Sequence, residues 1–152
     1  MIGVFPPGLT RELLGGARDS AVVAAVHARD CLTCEDLGRQ LRELAGAVGG
    51  ETRLVLAVPA GDTARVKEFV RSERIRNVQL AAYTAPLRLN GIDVPTPAAF
   101  VLGRDGRVRR GISHPERERN VRPVSFAQEL GYLSTKLVPP QVDSSLQRRN
   151  GS

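Results

Sequence analysis

The chain has 152 residues, of which 41% are hydrophobic and 25% charged. These proportions suit one folded domain and exclude disorder along the whole length. No apolar run approaches the roughly 18–20 residues of a membrane-spanning helix, and no basic flank followed by an apolar stretch marks a signal peptide. The formal net charge is +6, almost all of it from arginine, since only Lys67 and Lys136 are lysines. Most arginines are interspersed with acidic residues. Even the dense stretch Arg104–Arg122 carries Asp105, Glu116 and Glu118, and aromatic residues are only 4% of the chain. Few platforms for stacked bases are therefore present, and no nucleic-acid partner is expected.

Residues 1–9, with Pro6, Pro7 and Gly8, read as an irregular lead-in. Thr10 is placed to cap a short helix through Ala17 that grips with Leu13 and Leu14. Ala21–Val26 is wholly apolar, the pattern of a central strand buried on both faces. Cys34, Leu37, Leu41, Leu44 and Val48 follow at alternating steps of three and four, one face of an amphipathic helix, which Gly49-Gly50 ends. Leu54–Val58 is a second apolar strand. Asp62 or Thr63 caps a second helix with Val66, Phe69 and Val70 facing inward. Val78, Leu80 and Ala82 alternate as a third strand, and Ala85–Asn90 reads as a turn or short helix.

Ala98–Leu102 is a fourth strand. Asp105-Gly106 favours a tight hairpin, and Arg107–Ser113 returns with Val108 and Ile112 on one face. Ser125 and Gln128 match a capping box, followed by a stripe of Phe126, Leu130, Leu133 and Leu137. The order is strand, helix, strand, helix, strand, hairpin, helix. It predicts an α/β domain over residues 20–138, after a lead-in at 1–19 and before a polar tail at 139–152. Its central mixed sheet is covered by helices on both faces, with an antiparallel hairpin at one edge.

Chemistry concentrates at Cys31-Leu32-Thr33-Cys34. Cys31 stands where a buried strand hands over to a helix. Free N–H groups and the positive end of the helix macrodipole at such a place stabilise a thiolate. Cys34, one turn further in, is placed to resolve a mixed disulfide formed by Cys31. Read alone, the pair is also compatible with half a zinc site completed by His27 and His114, with a structural disulfide, or with inert thiols. The strand–CxxC–helix context favours a redox pair.

At this point the residues resemble the thioredoxin superfamily. A second segment, Val94-Pro95-Thr96-Pro97-Ala98-Ala99-Phe100-Val101-Leu102-Gly103-Arg104-Asp105-Gly106, is similar to the family's loop in which a cis-proline precedes an edge strand and hairpin. The resemblance implies that Pro97 is the cis-proline and that Thr96-Pro97 offers backbone to a substrate chain beside the CxxC. The extra strand Val78–Ala82 and the helix before it look like the insertion of the TlpA/ResA-like thiol–disulfide reductases. It is also like that of the peroxiredoxins, whose threonine and proline upstream of the reactive cysteine are missing around Asp30-Cys31. The resemblance covers about Ser20–Val138.

Departures from the family pattern are specific. Asp30 replaces the usual tryptophan, and a carboxylate there raises the pKa of Cys31 unless Arg29 offsets it. Leu32-Thr33 separates the cysteines without a proline. Ala25 occupies the place of a buried aspartate that moves protons, and His27 is the candidate to replace it. The resemblance implies a disulfide- or dithiol-bearing protein as partner, Cys31 and Cys34 as catalytic residues, and no metal or organic cofactor. The chain as given is expected to be a cytoplasmic monomer, or extracytoplasmic and anchored if an N-terminal segment has been removed. A non-catalytic module that binds an acidic partner through its arginines is the alternative.

Overall fold

The computed structural model describes residues 2–17, 19–33, 35–48, 54–113 and 126–131, without the side chains of 31–33, 35, 128 and 129. Gly49-Gly50, Ser125, the side chain of Gln128, Leu133, Leu137, His114 and the tail at 139–152 lie outside that description.

The strands are β1 (Gly3–Val4), β2 (Ser20–Ala25), β3 (Leu54–Pro59), β4 (Val78–Tyr83), β5 (Arg88–Leu89), β6 (Ile92–Asp93), β7 (Ala98–Gly103) and β8 (Arg107–Ser113). The helices are α1 (Pro7–Leu14), α2 (Glu35–Val48), α3 (Thr63–Ser72) and α4 (Phe126–Glu129). A six-stranded sheet runs in the order β1-β8-β7-β2-β3-β4, and β5 and β6 form a separate hairpin. β2, β3 and β4 are parallel, whereas β7, β8 and β1 join as antiparallel neighbours. This is the α/β mixed sheet expected, with helices on both faces.

The apolar run of β2 splits by its two-residue period. Ala21, Val23 and Ala25 enter one core with Leu9, Leu13 and Phe100, while Val22, Ala24 and Val26 enter the other with Leu41, Leu44 and Phe69. A strand with both faces buried must be apolar throughout, so its period is hidden in the sequence. β4 divides in the same way. Ala81 and Tyr83 are buried on the α1 side, Val78 and Leu80 pack half-buried on the α3 side, and Ala82 is exposed rather than inward. Leu37, Leu41 and Leu44 of α2 are buried and Val48 is half-buried; Val66 and Phe69 of α3 are buried and Val70 is half-buried.

Several local expectations are corrected. The N-terminal lead-in contains β1, paired with β8. α1 starts at Pro7, where a missing N–H costs nothing. Thr10 lies inside it, buried, with Oγ1 donating to the Phe5 carbonyl at 3.2 Å rather than capping. The helix stops at Leu14 because Gly15 adopts a left-handed cap. The segment after Ala85 forms the β5–β6 hairpin around Asn90-Gly91, both with positive φ. Asn-Gly is the commonest signal for such a turn.

Val108 and Ile112 face opposite cores, because a register shift pairs Leu102 with Val108 but Val101 with Arg110. Arg109 is the inserted bulge residue. At the start of the same hairpin, Asp105 Oδ1 accepts the Arg107 N–H at 3.0 Å. That bond, with the nearby Arg109 and Arg107 cations, holds the carboxyl below its ordinary range.

Gly106 is where the N-terminal segment meets this hairpin. Its φ is +83°, and a Cβ there would stand 2.6 Å from the Phe5 carbonyl oxygen and 2.7 Å from Thr10 Oγ1. The Phe5 N–H donates to the Gly106 carbonyl at 2.8 Å. Gly106→Ala is therefore expected to lower stability by about 2 kcal/mol, combining left-handed strain with the clash. Urea unfolding would read this as a lower midpoint at unchanged slope, and an unshifted midpoint would contradict it.

Candidate active site

The site forms where β2 leaves the sheet. Its last ladder contact is the Val26 N–H to the Ala57 carbonyl at 3.0 Å. Ala28–Thr33 then turns as a 3₁₀ helix before α2 begins at Glu35. The Cys31 backbone lies in this turn; the two sulfurs and all of Cys34 lie outside the described residues.

Two carboxylates fix the turn. Asp30 Oδ2 accepts the His27 N–H at 2.8 Å, while the Asp30 N–H donates to the His27 carbonyl at 3.0 Å. Asp62 Oδ2, arriving from the 3₁₀ turn after β3, accepts the next N–H, that of Ala28, at 2.9 Å. Asp62 occupies the N-cap position of α3, as expected, but makes no side-chain bond to that helix. The two bonds to carboxylate oxygens are charge-assisted, a type worth about 1.5–3 kcal/mol.

His27 and Thr96 meet across the sheet. β2 and β7 pair with Ala25 opposite Ala98. Two residues beyond one strand and two before the other, the same register sets His27 against Thr96. His27 Nδ1 and Thr96 Oγ1 are 2.8 Å apart. Either the hydroxyl donates to a bare Nδ1 or an Nδ1–H donates to the hydroxyl. The Thr96–Pro97 peptide bond is cis. The geometry thus brings together His27, Thr96 and Pro97, and sets the backbone of Cys31 four residues beyond His27. Ala25 is fully buried.

Beside this junction lies an open cleft of about 570 Å³ lined by His27, Arg29, Pro59, Tyr83, Arg88 and Val94, among others. It sits at the carboxyl ends of the parallel strands, where open α/β sheets place their ligands. Tyr83, at the end of β4, is 4% exposed and its hydroxyl has no hydrogen-bond partner among the described residues. Its pKa is pushed up to about 12, first by burial, then by the Asp62 and Asp30 carboxylates, with Arg29 opposing. The phenol is thus a neutral donor at physiological pH.

Asp62 and Tyr83 are the two residues that the sequence pattern did not single out for the site. Asp62 carries only the signal of a helix cap. Tyr83 falls in the opposite phase to the expected Val78–Leu80–Ala82 alternation.

Tyr83→Phe removes an unsatisfied buried hydroxyl and is expected to be neutral or stabilising by about 1 kcal/mol. In the parent protein, Tyr83 keeps its proton in the folded state between pH 10, its ordinary value, and about 12, but loses it when unfolded. The contribution of Tyr83 to stability is then constant below pH 10 and falls as pH rises through that window. Alkaline absorbance titration should show a transition near 12 that Tyr83→Phe abolishes and Asp62→Asn lowers. Ordinary titration of Tyr83 near 10 would contradict the assignment.

No protein-family model matches the chain, and no curated protein matches it. Among solved structures it is similar to a peroxiredoxin-like protein from Aquifex aeolicus, at 21% identity and TM-score 0.44. That match covers 67% of this chain and 65% of the other, less than two thirds of its length. It is similar to StoA from Bacillus subtilis at 12% identity and TM-score 0.44, covering 64% and 75% of the two chains. A thioredoxin-family thiol:disulfide interchange protein from Chlorobium tepidum matches at 14% identity and TM-score 0.45, covering 76% and 83%. Likenesses of this strength carry no argument about activity. The fold is legible in the chain's own connectivity: a mixed sheet with parallel β2, β3 and β4, antiparallel β7 and β8, helices on both faces and a cis X–Pro bond entering β7 make a thioredoxin-like α/β domain.

Proposed function

We propose that the chain is a thiol–disulfide oxidoreductase of the TlpA-like kind, acting on disulfide- or dithiol-bearing protein partners. The observation that carries this reading is the hydrogen bond between His27 and Thr96. It ties the turn bearing Cys31 to the loop bearing the cis-proline at the carboxyl end of β2.

In the reductive direction the Cys31 thiolate attacks one sulfur of a partner disulfide. A Cys31–partner disulfide forms, the partner S–S bond breaks, and the released partner thiolate takes up a proton. Cys34, as thiolate, then attacks Cys31 Sγ. The second partner sulfur leaves and is protonated, and Cys31–Cys34 is left as a disulfide. Two electrons pass to the partner, and the same steps reversed oxidise a dithiol. The electrons reside on sulfur alone, so the cycle requires no metal or organic cofactor.

Thr96-Pro97 acts as the docking loop for the partner chain. His27, just before the turn, is the candidate to pass a proton to or from the sulfurs, and its bond to Thr96 sets the direction of its ring.

The test is disulfide reduction with purified variants. Cys31→Ser should abolish turnover, and Cys34→Ser should accumulate a covalent partner adduct through Cys31. His27→Ala should slow the thiol-exchange step roughly tenfold to a hundredfold, with a changed pH profile, the scale of a lost proton donor or acceptor. Unchanged reduction by Cys31→Ser would overturn the assignment of roles, and no reduction by the parent chain would leave a partner-binding module without redox chemistry.

A further inference from the structure

β4 ends the six-stranded sheet. All six of its residues pair with β3 on one side, and among the described residues no strand pairs with the other. An open strand edge presents a row of backbone donors and acceptors that templates a further strand. Beside it runs a cleft of about 580 Å³ between α3 and β4. Its walls carry Lys67, Arg71, Arg74 and Arg76, and its floor includes the half-buried side chains of Val78 and Leu80. Only Arg71 has an ion-pair partner there, Glu68 at 2.8 Å, and both members of that pair are exposed. Lys67, Arg74 and Arg76 form no ion pair among the described residues.

The turn that displays these cations breaks a local rule. α3 closes with the Ile75 N–H donating to the Val70 carbonyl at 3.0 Å and the Arg74 N–H to the Arg71 carbonyl at 3.2 Å. That double bond is a Schellman cap, whose left-handed residue is usually glycine. Here the residue is Arg74, at φ 56°. A side chain at this position carries a conformational cost that glycine avoids, and what it adds is a cation at the rim of the cleft.

We propose that the β4 edge and this basic cleft dock an acidic, extended segment of a partner protein, which adds as a strand beside β4. Strand addition supplies main-chain hydrogen bonds, and alternate side chains supply specificity. The row of the segment that faces α3 is acidic and meets Lys67, Arg74 and Arg76 around Val78 and Leu80, while the alternate row faces the α1 side of the sheet. A second copy of this chain is disfavoured as the occupant, since edge-to-edge pairing of two such strands would bring like cations together. The surface acts independently of the cysteines, and the proposal goes beyond the redox reading without resting on it.

The probe is a short cysteine-free peptide of alternating glutamate and valine, titrated calorimetrically against the full chain in low salt. Controls are the same peptide with alternate backbone nitrogens methylated, a lysine–valine version, and a short single-stranded oligonucleotide. The expected result is binding by the acidic peptide that falls at least roughly tenfold with backbone methylation and with Arg76→Glu, and weakens with salt. The lysine–valine peptide should not bind.

Arg74→Gly is the discriminating variant. It should raise the thermal midpoint by relieving the left-handed residue, and at the same time weaken the peptide. Equal affinity for the methylated peptide, tighter binding of the oligonucleotide, indifference to both Arg76→Glu and Arg74→Gly, or no binding would each overturn the proposal. So would a concentration-dependent dimer of the parent chain that Arg76→Glu alters, which would make the edge an interface between copies. None of these readouts involves Cys31 or Cys34.

Discussion

Two adjacent backbone N–H groups, those of His27 and Ala28, are held by two carboxylates from different parts of the chain. Asp30 takes the first and Asp62 the second. Without them the chain would leave β2 with unsatisfied donors beside the core, at a cost of about 1–3 kcal/mol each. With them, the start of the 3₁₀ turn that carries Cys31 is tied to its own Asp30 and to the segment between β3 and α3. The aim of His27 toward Thr96 and the field at Tyr83 follow from that anchoring. Asp30 thus has a structural task at the position where the family resemblance implies tryptophan. Its carboxylate is directed back to the His27 backbone, three residues upstream.

The site lies at these strand ends because of the sheet. β2 and β3 have both faces buried, so their interiors admit only apolar side chains and polar chemistry is displaced to the strand ends. The antiparallel register of β2 with β7 then decides which ends meet. Ala25 opposite Ala98 places His27 opposite Thr96, and shifting that register by one residue would exchange the faces of all six β7 residues. The apolar composition of Ala21–Val26 and Ala98–Leu102 therefore has a direct functional consequence: the packing that requires it also fixes the distance between the Cys31 turn and the cis-proline loop.

Element order, the mixed sheet and its two covered faces were legible in the sequence, because apolar runs of strand length alternating with a heptad-like stripe leave few other architectures. His27, Thr96 and Pro97 were legible too, though only through motif resemblance; periodicity says nothing of a contact between positions 69 apart. Asn90-Gly91 is a plain hairpin signal, but its flanking strands are only two residues long and leave no alternation to read. Other features left no local trace. The bulge at Arg109 inverts the phase of β8 without a glycine or proline to mark it. Asp62 looks like a helix cap because its partner lies 34 positions away. Tyr83 is inward because β4 packs on both faces, where alternation alone cannot choose the buried phase.

The central claim is that Cys31 and Cys34 form a reversible two-electron couple in the setting fixed by Asp30, Asp62, His27 and Thr96. A redox titration in defined thiol–disulfide buffers, read by alkylation and mass, tests it most directly. The account predicts a single reversible transition between roughly −300 and −120 mV, the range of catalytic dithiols. A pair that never closes to a disulfide, or one that resists reduction well below that range, would contradict it.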